Sequence, residues 1–237
     1  MIHEFSRTEL LLGSEAIERL AGSRVLVFGV GGVGSHCIEA LARSGVGSLG
    51  LVDNDTVSLT NINRQSIAYH STVGQYKTQV MKRRILDINP RAHVDTFETF
   101  VLEDNLEPLL QGRIDYIVDA IDTVSAKLAI AQMAAGRNLP LIASMGTGNK
   151  LCPEKFEIAD IYDTSVCPLC RVMRRELKKR GLEHLNVLYS REEPLKPAVA
   201  CEEASSKRSV PGSISFVPPV AGLMIAGHVI KALAKTE

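Results

Sequence analysis

The sequence has no excess charge of either sign, because its 27 Lys and Arg residues balance 27 Asp and Glu residues. Bulk positive charge attracts nucleic acid. Because the net charge is zero, any binding of nucleic acid would have to depend on a local basic patch. The five cysteines show no disulfide-framework spacing, which is typical of a protein from a reducing compartment. With 237 residues, 45% of them hydrophobic, the chain can bury a full core and does not have the composition of a disordered protein.

The first residues, MIHEFSR, are polar and lack the charged and then apolar leader of a secreted protein. We therefore expect a cytoplasmic location. One segment, Ile214 to Ile230, is nearly uncharged, but it contains Pro218, Pro219 and His228, and a membrane span needs about 20 apolar residues. We expect a buried C-terminal helix that begins near Pro219. Peripheral membrane contact of this tail is the less favoured alternative.

A glycine-rich turn between a strand-like run and a helix-like run is the most informative motif. The run Arg24 to Phe28 leads into G-x-G-x-x-G at Gly29, Gly31 and Gly34, and a helical segment extends from Ser35 to Arg43. Such glycines permit a tight turn, close approach of the backbone to phosphate, and close packing of helix on strand. The helix N-terminus then attracts the anion.

Asp53 ends the next strand-like run, Leu49 to Val52, where a carboxylate can accept hydrogen bonds from both ribose hydroxyls. The glycine turn and Asp53 together predict an adenine-nucleotide site. By themselves they do not separate NAD from ATP.

A dense polar cluster downstream of Asp53 favours ATP. Arg64 can hold phosphate oxygens with its forked N–H groups, and Asn61 and Gln65 can donate to the same oxygens. Lys77 adds a point charge at the start of a predicted helix. A nicotinamide enzyme has no need of this cluster, whereas an enzyme that handles a triphosphate does.

Two aspartates close the predicted strand Asp115 to Ala120 and its following turn. Asp122 can hold Mg²⁺ together with phosphate oxygens, or it can cap the helix that begins near Ser125. Asp119 is interpreted as structural. For Lys127 two possibilities stay open, contact with the nucleotide and a position on a solvated face.

Strand-like and helix-like runs alternate along residues 24–150, which predicts an α/β fold: a doubly wound, Rossmann-like, mostly parallel sheet with helices on both faces. Residues 1–150 form the predicted ATP-binding core, with an amphipathic helical arm from Met1 to Gly22. Residues 151–237 form a less regular C-terminal part, packed in the same domain, with a loop from Tyr189 to Gly212 that crosses over the site. The remaining predicted elements are helices at 75–88, 103–110, 125–136 and 169–180, and strands at 93–97 and 141–144.

Five motifs in order give the chain a resemblance to the ubiquitin-activating-enzyme-like superfamily of ThiF/MoeB/HesA type: G-x-G-x-x-G, D-x-D, N-x-x-R-Q, G-Q-x-K and D-x-x-D. The resemblance covers residues 1 to about 150. It implies a homodimer in which Arg7 reaches the partner's site, and catalytic roles for Arg64, Lys77, Asp122 and Arg7. The nucleotide seat that it implies comprises Gly29, Gly31, Gly32, Gly34, Asp53, Asp55, Asn61, Arg64, Gln65, Lys77 and Asp122.

Later strings resemble the branch of tRNA threonylcarbamoyladenosine dehydratases, namely PL-RVMRREL from Pro168, SREEP from Ser190 and SFVPPVAG from Ser215. The branch implies ATP-dependent cyclisation of a modified adenosine in tRNA, with a cysteine desulfurase or other sulfur-transfer protein as a further partner. Two alternatives stay open: an adenylyltransferase for a sulfur-carrier or ubiquitin-like protein ending in Gly-Gly, and an NAD-dependent oxidoreductase.

One predicted helix carries a run of six basic residues without interleaved aromatics, so we expect contacts to tRNA phosphates and not base stacking, and we expect no DNA partner. Its members are Arg171, Arg174, Arg175, Lys178, Lys179 and Arg180. Cys167 and Cys170 form a single C-x-x-C pair. Zinc is not favoured, because a structural site needs four ligands and Cys152 and Cys201 would have to come from separate loops.

Overall fold

The computed structural model describes residues 2–196, 198 and 211–236. Its seven-stranded sheet has the order β3-β2-β1-β4-β5-β7-β6, and every neighbouring pair is parallel except β6 with β7. The predicted mostly parallel α/β sheet is confirmed. The strands are β1 (Arg24–Phe28), β2 (Ser48–Val52), β3 (His93–Phe97), β4 (Tyr116–Asp119), β5 (Leu141–Ser144), β6 (Phe156–Asp160) and β7 (Asn186–Ser190).

Helices cover both faces of the sheet, because side chains alternate along each buried strand. Val25 and Val27 of β1 pack in one cluster with the helices α2, α3, α4 and α8, whereas Leu26 and Phe28 pack in another with α5 and α6. The α-helices are α1 (Ser6–Leu12), α2 (Ser14–Ala21), α3 (Gly34–Arg43), α4 (Lys77–Ile88), α5 (Leu106–Leu109), α6 (Val124–Gly136), α7 (Pro168–Lys179) and α8 (Val217–Ala234).

The chain reverses direction across the sheet between β1 and β4. From β1 it runs outward through β2 and β3, then returns to β4 on the other side of β1 and continues to β5. Ligands of doubly wound folds bind in the crevice at the carboxyl ends of the strands where this reversal occurs. The topology therefore places the candidate site at the ends of β1, β2 and β4.

Two glycines shape that crevice for steric reasons. Gly29 has φ +92°, and a Cβ there would lie 2.7 Å from the Ala120 carbonyl oxygen. A Cβ on Gly34 would lie 1.9 Å from the Gly29 carbonyl oxygen, so only glycine lets α3 start this close to β1. The predicted purpose of these glycines, a tight turn and close packing of helix on strand, matches the geometry.

The C-terminal helix α8 begins at Val217, two residues before the predicted start. Pro218 and Pro219 occupy its first turn, where the missing N–H groups cost no helical hydrogen bond. The helix is long and apolar enough to cross a membrane by composition. In the structure it is a core helix, since a Cβ on Gly222 would lie 2.3 Å from the Val33 carbonyl oxygen of the segment entering α3.

The C-terminal part extends the same sheet. Strand β7 pairs with β5, and β6 pairs antiparallel with β7 at the edge. Tyr189 and Ser190 are buried residues of β7, so the predicted loop from Tyr189 begins too early. Most of the remainder of that loop, including Cys201, lies outside the described residues.

Candidate nucleotide site

A cavity of about 340 Å³ opens at the carboxyl ends of β1, β2 and β4. Every residue of the predicted nucleotide seat lines it except Gly34, whose backbone packs beneath the turn. Sequence reasoning missed the residues after β3 (Thr99, Phe100 and Val101), as well as Thr147 and Pro218. Residues 99–101 follow the carboxyl end of a predicted parallel strand, and ligands of such sheets bind at these ends, so this position could have indicated their place in the site.

Asp53 holds the glycine turn in place. One carboxylate oxygen accepts the Val30 N–H at 2.7 Å, and the other accepts the Asp55 N–H at 2.8 Å. Burial raises the pKa of this carboxyl, and the charge of Lys77 opposes the rise. A carboxylate has about four acceptor positions, so these two hydrogen bonds leave capacity for the ribose hydroxyls that the sequence predicts.

Lys77 begins α4 and is buried, with its ammonium 2.6 Å from the Asp55 carboxylate. The Lys77 N–H also donates to the Asp55 carbonyl, at 3.1 Å. Asp55 itself is mostly exposed. The lysine is thus fixed at the cavity wall by a partner that remains accessible, which is a suitable arrangement for exchanging the carboxylate for phosphate oxygens.

Arg64 lines the cavity half-buried, and burial lowers its pKa. One guanidinium nitrogen donates to the Thr60 carbonyl and to the Asn63 side-chain oxygen, both at 2.9 Å. The guanidinium has five N–H donors, so these contacts orient the group and leave donors for an anion.

Two amides complete this wall. The Asn61 side-chain oxygen accepts the Ser58 N–H at 3.0 Å, which closes the short 3₁₀ turn Leu59–Asn61. Gln65 is 7% exposed, and its side-chain oxygen has no partner among the residues that the structure describes. A buried polar atom without a partner costs free energy, so this oxygen is suited to receive a donor from a ligand or water.

Asp122 lies exposed at the cavity rim, beyond β4. Thr123 is the N-cap residue of α6, and no side chain caps that helix with a hydrogen bond, so the capping alternative for Asp122 is wrong. No group of three metal-ligating side chains occurs in the described part of the chain. A cation at Asp122 would therefore need oxygens from a bound phosphate.

Asp119 and Lys127 form a fully buried ion pair, with 2.9 Å between the ammonium nitrogen and the carboxylate oxygen. The ammonium also donates to the Ile121 carbonyl at 3.1 Å. Burial raises the pKa of Asp119, and Lys127 opposes the rise. Both possibilities considered for Lys127 are wrong, because the pair fastens α6 to the end of β4 beneath the cavity, whereas Asp119 is structural as predicted.

A second cavity of about 210 Å³ adjoins the first. Arg64 and Asp122 line both spaces. The second cavity extends toward Ser144, Leu169 and Ser213. A molecule in this space would lie beside the phosphate-binding side of the first cavity.

Arg7 lies on α1, exposed, and does not line the cavity of its own chain. The same helix exposes Leu10 and Leu11 almost completely. The structure of one chain therefore brings every predicted catalytic residue together except this one.

The basic run of α7 divides into three groups. Arg175, Lys179 and Arg180 converge on Glu176 at 3.0–3.2 Å, and Lys179, followed by Arg180 and Arg175, holds the pKa of Glu176 at about 2. Arg174 turns inward and donates to the carbonyl and hydroxyl oxygens of Thr164. Within this run, only Arg171 and Lys178 are exposed and form no ion pair with a residue that the structure describes.

Comparison with known proteins agrees with this geometry. The ThiF family model matches residues 5–237. The tRNA threonylcarbamoyladenosine dehydratase of Bacillus subtilis is 45% identical over 99% of this chain and 96% of its own length. The solved tRNA N6-threonylcarbamoyladenosine dehydratase of Escherichia coli in complex with ATP is 31% identical over 98% of this chain and 94% of that chain, with a TM-score of 0.88. Its AMP complex superimposes with a TM-score of 0.89.

Proposed function

The chain belongs to the ThiF family, and from this premise we propose that it uses ATP to activate the threonyl carboxylate of threonylcarbamoyladenosine in tRNA and then cyclises that nucleoside with loss of water. The observation that carries the proposal is the cavity at the reversal of strand order. It gathers Asp53, Arg64 and Lys77 in a fold whose E. coli relative was solved with ATP and with AMP.

In the first step a carboxylate oxygen of the substrate attacks the α-phosphorus of ATP, and pyrophosphate leaves. Positive groups that are already oriented stabilise the charge that builds on phosphate oxygens. Arg64 and Lys77 have this role, since both line the cavity and are held by neighbouring oxygens. Asp53, at the end of β2, accepts hydrogen bonds from the ribose hydroxyls.

In the second step the carbamoyl group attacks the activated carbonyl carbon, and AMP leaves with the former carboxylate oxygen. Attacking and attacked groups belong to one nucleoside, so proximity supplies a large part of the rate without an enzymic nucleophile. The second cavity accommodates this part of the substrate, because it adjoins Arg64 and Asp122.

Mg²⁺ fits the arrangement at the rim as a partner of ATP. This ion is commonly bound through one or two carboxylates together with substrate phosphates, and Asp122 is the exposed carboxylate there. When bound, the ion would neutralise phosphate charge, and Asp122 would hold it on the side shared by the two cavities.

Exposed residues that do not line the cavity of their own chain are the basis for the proposed partners. A homodimer would cover Leu10 and Leu11 of α1 and bring Arg7 to the partner's site. Exposed Arg171 and Lys178 of α7 would position tRNA phosphates, with a smaller contribution from Arg175, Lys179 and Arg180. A sulfur-transfer protein remains a predicted partner, in a cytoplasmic setting that suits a tRNA substrate.

The decisive assay combines the full chain with ATP, Mg²⁺ and threonylcarbamoylated tRNA. Nucleoside mass spectrometry should find the cyclic product, with one AMP released for each product formed. Arg64→Ala should abolish most of both, whereas Arg83→Ala, on the exposed side of α4, should not. Absence of cyclic nucleoside from folded protein, or ATP–pyrophosphate exchange stimulated by a Gly-Gly carrier protein and not by tRNA, would refute the proposal.

A further inference from the structure

Two cysteines flank the first turn of α7. Cys167 is the N-cap residue, and Cys170 is the third residue of the helix. Both thiols are free and buried, Cys167 being 4% and Cys170 0% exposed. They belong to an apolar cluster with Ile161 and Met173. No part of the proposed reaction uses either sulfur.

The spacing brings the two side chains close enough to bond. The side chain of an N-cap residue reaches forward over the third residue of its helix, and the helical rise and radius place Cα atoms three residues apart about 5 Å from each other. A disulfide requires Cα atoms within about 4.4–6.8 Å. Pro168 starts the helix between them, and its ring fixes the backbone there.

The surroundings give the two sulfurs different chemical roles. Hydrogen bonding from the Cys170 side chain, together with N–H groups of the first turn and the charge of Lys150, lowers the pKa of Cys167. The same hydrogen bond and burial raise the pKa of Cys170. A thiolate is the reactive form of cysteine, so Cys167 is the nucleophile and Cys170 keeps its proton.

Lys150 is fixed where it can support a thiolate. It is 4% exposed, and its ammonium donates to the Glu192 carbonyl at 2.5 Å. The Glu192 carboxylate in turn accepts the N–H groups of Leu151 and Cys152, both at 2.9 Å. This network ties the segment after β5 to the segment after β7 and holds the ammonium where its charge acts on the pair.

We propose that Cys167 and Cys170 are a reversible dithiol–disulfide site that is oxidised by a small hydroperoxide. The Cys167 thiolate attacks one peroxide oxygen, the O–O bond breaks, and the departing hydroxide takes a proton to become water, which leaves a sulfenic acid. Cys170 then gives up its proton and attacks the Cys167 sulfur, and the S–O bond breaks with release of a second water. Two thiols are oxidised, and hydrogen peroxide is reduced to two waters.

Burial selects the size of the oxidant. With Cys167 only 4% exposed, a bulky disulfide would have to open the first turn of α7 before reacting. Leu169, between the two cysteines, lines the second cavity, so a small molecule there comes within one residue of the pair. The proposal does not depend on the proposed function, because it concerns only these two sulfurs.

The test uses the full chain, treated with hydrogen peroxide, alkylated and digested with trypsin. The tryptic peptide 156–171 contains both cysteines and no others. Its mass should fall by two hydrogen atoms, its alkylation should disappear, and dithiothreitol should restore both thiols. Cys152→Ser is the matched control, and its 156–171 peptide should oxidise like that of the unmodified chain.

Two variants separate the roles of the sulfurs. Cys170→Ser should stop at a sulfenic acid on Cys167 that dimedone captures, whereas Cys167→Ser should leave the peptide unoxidised. Circular dichroism checks that both variants fold. If either variant does not fold, the oxidation of peptide 156–171 in the unmodified chain still tests the proposal. The proposal is overturned if both thiols stay alkylated after peroxide, if Cys167 bonds to Cys152 or Cys201 instead, or if native mass spectrometry finds zinc on the pair.

Discussion

The cations around the nucleotide cavity are fixed by neighbouring groups, whereas those on α7 are mostly exposed and partly neutralised. Lys77 is buried against Asp55, and Arg64 is held by the Thr60 carbonyl. On α7, three cations share the single carboxylate of Glu176. By the number of basic residues in the sequence, α7 is the most strongly charged segment. Arg64 and Lys77 at the cavity are nevertheless better suited to stabilise charge in a reaction, because such stabilisation requires groups that are oriented beforehand.

Lys127 represents a third kind of cation in this protein. It is fully buried, and it lines neither of the two cavities described above. Lys127→Met would leave the Asp119 carboxylate buried without a partner. We expect a loss of about 3–5 kcal/mol in the free energy of unfolding, measured by urea denaturation. Adding Asp119→Asn should recover part of the loss, and a cost below about 1 kcal/mol would show that the pair behaves like a surface ion pair.

At the cavity, Arg64→Ala tests whether a fixed cation stabilises the reaction. We expect kcat to fall by about 10²–10³-fold, the size found when one preorganised donor to a developing anion is removed. Arg64→Lys should recover only part of the rate, because the ammonium cannot bind two oxygens in a fork. The measurement is single-turnover AMP formation. Equal rates for Arg64→Ala and the unmodified chain would show that the fixed cations of the cavity are no more important to the reaction than the exposed cations of α7.

On α7, the free cations should matter more to tRNA binding than the paired ones. Arg171→Ala with Lys178→Ala should weaken binding at all sequences and reduce the slope of log affinity against log salt by about one for each phosphate that the protein no longer neutralises. The matched variant Arg175→Ala with Lys179→Ala should have a smaller effect, because Glu176 already partly neutralises those groups. Filter binding at several salt concentrations measures both, and the reverse order would contradict the structure.

Glu176 offers the smallest and most local test. Because its folded-state pKa is about 2, below the ordinary value for glutamate, its contribution to stability is complete above the unfolded pKa and is lost as the pH falls toward about 2. Carboxyl NMR should place its titration near this value, and Lys179→Ala should raise it. An ordinary glutamate titration would show that the three cations are not gathered on it in solution.

Much of the nucleotide half was predictable because its signals are local. The strands His93–Phe97 and Leu141–Ser144 have the predicted bounds, and the helix after the glycine turn begins one residue early at Gly34. Short apolar runs bounded by turn residues report directly on buried strands. Asp53 is predictable because it directly follows such a run, and Arg64 and Lys77 are predictable because they belong to the polar segment that comes after it.

The pairings between distant residues were not predictable in the same way. The role of Lys127 is not predictable from the sequence, because its partner Asp119 lies on another element and nothing in their spacing reveals the pair. Arg174 belonged to a basic run by sequence, yet it turns inward to Thr164. The sequence predicts a loop at Tyr189, because the neighbouring prolines and charges obscure the short buried strand β7.

The sequence by itself determined the fold class, the glycine turn and the residue types of the cavity, because backbone sterics and hydrophobic periodicity act over a few residues. Only the tertiary structure decided which charges are buried and which carboxylate each buried cation meets. Those outcomes depend on desolvation and on distances between elements far apart in the chain, and both quantities come into existence only when the sheet and its helices pack together.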